Sequence, residues 1–251
     1  MYYRSDLAGN RSYRHRGRIL FESRRHAAAT FRHAIKRSNA LHHEYLRDPK
    51  RLASYDRFTR WQLDYMLPFF SDLLGPRGYA EAVDFVVSDL CGVGISDRDR
   101  DIERAAPVIV RSLPSHSLDT AAAAVELNAA ALQINLGIWR ELLVDGELPP
   151  TINEEQYVVA CRSVSSFEEC MDLVRLAVEL GDTLKTLVRI PLIGGLLRTM
   201  RAPAHAAGFG ALQEFLETGF LTFRQISDID SFLELLHHRM DQIFDHIYHQ
   251  H

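Results

Sequence analysis

Apolar residues recur along most of this chain at alternating steps of three and four, the spacing that gathers them on one side of an α-helix. After Pro114 the series Leu118, Ala122, Val125, Ala129, Leu132, Leu136, Trp139 and Leu143 runs without a break. It predicts one long central helix whose alanines let a neighbour come close. Ile229, Phe232, Leu236, Met240, Ile243 and Ile247 predict a second, with Ser227 placed as its N-cap. Ser166 and Glu169 have capping-box spacing and open a third helix, through Met171, Val174 and Val178 toward Arg189. Pro191 must stop or kink that helix, because proline lacks the amide donor and clashes with the preceding turn. Ser96-Asp97-Arg98-Asp99 puts acidic residues at the positive end of a further helix, with Ile102, Ala106, Ile109 and Leu113 as its apolar face and Pro114 as its end. Shorter helices are expected at about 79–90, 153–163 and 192–201, with Pro203 to Gly210 read as a junction.

No segment alternates apolar and polar residues at period two with β-branched enrichment, so no sheet is expected. No internal repeat of solenoid length is visible. The expectation is an all-α protein, an irregular multi-helix bundle of about nine to ten helices. Composition agrees, since 47% apolar and 25% charged residues suffice for a real core. Three cysteines, Cys91, Cys161 and Cys170, show no CxxC spacing, which points to a reducing, cytoplasmic setting rather than a disulfide framework. The first residues are basic and lack the apolar stretch of a secretory signal. The strongly apolar stretch from Leu187 to Leu197 is broken by Arg189 and Pro191, so no transmembrane segment is expected.

Charge changes this picture. Residues 1–66 carry 15 Lys and Arg against six Asp and Glu, a balance of +9, whereas residues 67–251 carry 14 against 27, a balance of −13. The division suggests a basic N-terminal helical segment, 1–66, packing on or extending from an acidic helical core domain, 67–251. The basic arm is marked by Arg14, Arg16, Arg18, Arg24 and Arg25. It is suited to docking on the acidic remainder of the chain, to an acidic protein partner, or to phosphates. Nucleic acid is not expected, because no reader motif is present and Phe21 and Phe31 are too few and too far apart to stack bases.

Candidate chemistry is sparse. Lys185, Arg189, Arg198 and Arg201 surround the Pro191 break and are the candidate anion- or partner-binding residues. Glu234 and His237 have the Glu-x-x-His spacing of di-iron bundles, but a second copy is missing and half of such a site with it. His116 and His205, each near a proline, are the candidate ligands of a haem-like cofactor; capping positions explain them as well. No G-x-S-x-G elbow, P-loop or G-x-G-x-x-G occurs. No catalytic residue, metal ligand or cofactor is therefore predicted. The leading expectation is a non-enzymatic binding or regulatory protein that presents helical faces to an acidic protein partner or to a second copy as a homodimer. The alternatives are a small-ligand or haem-like cofactor protein with a pocket between helices and, after it, a metalloenzyme.

Three stretches carry a resemblance. Pro68-Phe69-Phe70-Ser71-Asp72-Leu73-Leu74-Gly75, the block from Asp97 to Pro107, and the run from Leu187 to Phe223 are similar to the bacterial FFLEELY-motif proteins, over about residues 68–250. Pro68 and Ser71 stand where that string has its first aromatic and first acid, leaving Asp72 alone of its carboxylates. The resemblance implies an all-helical bacterial protein, and no substrate, cofactor or catalytic residue.

Overall fold

A computed structural model describes residues 8–45, 47–73, 79–86, 95–113 and 115–249. Within these ranges the side chains of residues 8–23, 44, 45, 95–100, 112, 116 and 191 lie outside the description. The expectations placed on the side chains of Arg14, Arg16, Arg18, His116 and Ser96 to Asp99, and on Cys91 and Pro114, fall there too. Ten α-helices occur among the described residues: α1 Ala8–Tyr45, α2 Pro49–Met66, α3 Ala80–Asp84, α4 Ile95–Ser112, α5 Ser115–Glu141, α6 Glu154–Val164, α7 Phe167–Val188, α8 Pro191–Ala206, α9 Gly210–Gln225 and α10 Ile229–His249. A 3₁₀ turn, Leu67–Phe70, extends α2. No strand is found among the described residues, only a single bridge between Val144 and Glu147. That bridge closes a tight turn in which Asp145 and Gly146 both have positive φ, 52° and 83°.

Local chemistry sets most boundaries. Asp48 caps α2 by accepting from the amides of Lys50 and Arg51, and Pro49 takes the first helical position. Asn153 with Gln156, and Ser166 with Glu169, form reciprocal capping boxes at α6 and α7. Two expectations need correction. The cap of α10 is Asp228 rather than Ser227: its carboxylate accepts the amide of Ser231 at 3.1 Å and its hydroxyl at 2.7 Å. Helix α8 does not end near residue 201 but continues through Pro203 to Ala206, since one missing amide donor does not break a helix already packed against α9.

The bundle is organised around α5. Helix α1 lies along it, α6 and α7 pack beside it, and α10 pairs with α7 while α8 pairs with α9. One apolar cluster joins Ala27, Phe31 and Ile35 of α1 to Leu118 and Ala122 of α5, with Ile102, Ala106 and Ile109 of α4 and the following Leu113 against it. A larger cluster joins Leu132, Leu136 and Trp139 of α5 to Phe58 of α2, Tyr157 of α6 and Phe232, Ile243 and Ile247 of α10. Helix α5 belongs to both. It is also the described helix with the length and hydropathy of a membrane span, yet its neighbours on several sides are other helices of the bundle.

The described part of the basic segment is tied to the rest of the chain. Arg24 donates to the carbonyls of Val110 at 3.0 Å and Arg111 at 2.8 Å, the unpaired C-terminal end of α4. Arg37 donates to Glu126 at 2.9 Å and to Gln133 at 2.7 Å on α5.

Candidate functional site: an apolar cleft beside the central helix

The α5 pattern holds a second face. Asn128, Ala131, Ile134, Asn135 and Ile138, together with Val125 of the first series, share a helical face and look into a cleft of about 320 Å³. Across it α10 contributes Leu236, Met240, Ile243, Phe244, Ile247 and Tyr248, and α7 contributes Cys170, Leu173, Val174 and Ala177. Ile35, Ser38 and Asn39 of α1, Gln62 and Met66 of α2, and Tyr157 and Cys161 of α6 complete the walls. The size lies within the range of small-molecule sites. Val125, Leu236 and Met240, which the periodicity assigns to core seams, are half-buried and border this space as well as the core.

Polar side chains interrupt the apolar walls, and two hydrogen-bonded groups stand out among them. At the first, the Gln62 side-chain amide donates to Asn135 Oδ1 at 3.1 Å and to the Tyr157 hydroxyl at 3.0 Å. At the second, the Tyr248 hydroxyl lies 2.6 Å from Ser165 Oγ and 3.4 Å from Cys170 Sγ, at the junction of α6 and α7. Burial pushes the Tyr157, Tyr248 and Cys161 groups up, the Cys161 thiol to about 12. All three are therefore neutral near pH 7, and a protonated thiol is a poor nucleophile. Among the described residues, none that lines the cleft is an acid, a base or a histidine.

The residues singled out from the sequence lie elsewhere. Lys185 on α7 pairs with Asp230 at the start of α10. Arg201 on α8 holds Glu217 of α9 with two bonds, Nε to Oε2 at 3.0 Å and Nη2 to Oε1 at 2.5 Å. That bidentate contact draws the Glu217 carboxyl below its usual range. Arg198 is exposed on α8, and Arg189 lines a shallow hollow with Arg224 at the α7–α9 edge. The four cations are thus spread over α7, its C-cap and α8, with Lys185 and Arg201 bound to carboxylates of the chain itself. Arg25 is exposed, and its neighbour Arg24 serves as the α4 cap described above. His205 sits 3.5 Å from Glu214 at the α8–α9 turn, outside the cleft, with its ring against Gly210. Among the described residues no three His, Cys, Asp or Glu side chains converge as a metal would require, so Glu234 and His237 gain no further donor.

Of the name-string residues, Phe70 and Leu73 are buried, and Asp72 accepts from Arg239 of α10 at 2.5 Å. A family model described as a domain of unknown function, DUF8198, matches residues 42–251. The chain belongs to this family. The DUF8198 match begins near the end of α1 and takes in every element that walls the cleft except most of α1. No curated protein and no solved structure matches the chain.

The sequence does hold a signal for the cleft, in two side-chain amides. Asn128 and Asn135 stand seven residues apart on α5, on the face that Ala131, Ile134 and Ile138 make apolar, where an amide is costly unless it has a partner or meets solvent.

Proposed function

We propose that this DUF8198 protein is a non-enzymatic binding protein for a small apolar molecule held in the cleft between α5, α7 and α10. The observation that carries the reading is the cleft itself: helical faces patterned like core seams that enclose about 320 Å³ without closing on one another. Apolar side chains facing water are a standing cost, and an apolar occupant removes it. Free, buried Cys161 and Cys170 support a reducing, cytoplasmic location as part of the proposal. The resemblance to the FFLEELY-motif proteins is retained within it, supported by the burial of Phe70 and Leu73.

Native mass spectrometry of the purified protein, with extraction of bound small molecules, tests the reading together with titration by the neutral fluorophore N-phenyl-1-naphthylamine. Saturable binding that Ala131→Trp or Ala177→Trp abolishes without loss of helicity is the expected result. Binding that both variants leave unchanged, or no binding at all, overturns it.

A second reading concerns a protein partner. Leu192, Leu196 and Met200 form an exposed stripe along α8, with Leu192 81% exposed, and they favour a homodimer through this face. Sedimentation of the wild type beside Leu192→Lys and Leu196→Lys checks it; a monomer at all concentrations removes it.

A further inference from the structure

The chemistry of the walls narrows what can occupy the cleft, given that it is a binding site. Along α5 the lining runs from Ala124 to Ile138, about 21 Å at 1.5 Å per residue, so the space is long rather than round. No described lining residue supplies a counter-charge. A carboxylate, phosphate or ammonium brought inside would lose its hydration with nothing to replace it, a large cost. The polar capacity that does exist is neutral. With Gln62 donating to Asn135 and Tyr157, its own carbonyl oxygen and the Asn135 amide hydrogens remain to receive a ligand group. The same hydrogen-bonded pair of lining residues thus offers one acceptor and one donor at the wall of an apolar channel.

We infer that the cleft takes an uncharged, single-chain lipid-class molecule whose neutral hydrogen-bonding group, a hydroxyl in the simplest case, docks between Gln62 and Asn135. The chain of the ligand lies along α5 against Ile134, Leu236 and Met240. A hydroxyl satisfies both halves of the amide pair, because it donates to the Gln62 carbonyl and accepts from the Asn135 amide. A hydrocarbon without such a group leaves both unpaired.

Competition against N-phenyl-1-naphthylamine on the full chain decides the matter. Dodecan-1-ol should displace the probe at a concentration at least about ten-fold lower than dodecanoate does at about pH 8, where the acid is fully ionised. In Gln62→Leu and Asn135→Leu, each checked for helicity, the preference for the alcohol over dodecane should fall several-fold while probe binding persists. Equal or better competition by dodecanoate overturns the neutral-ligand inference and leaves the binding site standing. An alcohol preference that survives in both variants overturns the docking position. Failure of the probe to bind the wild type strikes at the cleft as a site, a different outcome from either.

Discussion

Asp101 of α4 accepts the backbone amide of Leu212, in the first turn of α9, at 3.1 Å. Helix α9 begins at Phe209 and Gly210 with no side chain of its own to cap it. Asp101 does from another helix what an N-cap serine or aspartate does locally, and it is buried in doing so. Its other oxygen accepts from Arg104 at 2.7 Å, and Arg104 also reaches the carbonyl of Gly208. Asp101→Ala should cost about 1–2 kcal/mol in urea or thermal unfolding, the usual loss for a cap. Asp101→Asn, which keeps an acceptor, should recover part of it; equal loss in both variants would point to the charge rather than the cap.

Close helix contact makes a second prediction. A β-carbon at Gly181 of α7 would fall 2.5 Å from Leu233 Cδ2 of α10, a side chain buried in the core that would have to shift. Gly181→Ala should therefore destabilise by about 1–3 kcal/mol, as overpacking does. Gly195 on α8 has nothing within 4 Å of the same position. Gly195→Ala should be neutral or stabilising by up to about 1 kcal/mol, from helix propensity alone. Thermal melts of the two variants should move in opposite directions.

The Arg201–Glu217 pair gives a pH dependence. Arg201 holds the native Glu217 carboxyl below the ordinary value of 4.5. A carboxyl that is more acidic when folded stabilises fully above that ordinary value and loses its contribution as pH falls through the native one. Glu217→Gln should lower the melting temperature at pH 7, and the gap to wild type should close below about pH 4. A gap that is constant down to strongly acidic pH would show that the contact acts through packing.

Thiol chemistry provides a fourth. With Cys161 pushed up to about 12 by burial, almost none of it is thiolate near neutrality. Iodoacetamide at about pH 8 should label the Cys161 peptide at least about 100-fold more slowly in the native protein than in urea, followed by peptide mass mapping. Fast native labelling would mean that α6 opens readily.

The helices were legible because their signals are local. Ser166 and Glu169 sit within one turn, and the capping box forms where their spacing says it does. The cap of α10 was misread by one residue, since Ser227 and Asp228 are both good N-cap residues and only the trajectory of the chain decides between them. Pro203 was misread for a related reason: a proline weakens a helix locally, but the packing of α8 on α9 offsets that loss, and packing is not a local signal. The cleft is the most instructive case. Phe232 and Leu236 stand in the same apolar series, yet Phe232 is fully buried in the core and Leu236 is half-buried at the wall of the cleft. Whether an apolar face meets another helix or a gap depends on how distant segments pack, which three-and-four spacing does not encode.

Because α5 is the shared wall of both apolar clusters, loss of either one uncovers part of a helix on which the other depends. Stripping α1 from one flank uncovers the very cylinder against which α6 and α7 pack. The two oppositely charged stretches of the chain are thereby bound to a common fate, and the protein should melt in a single step.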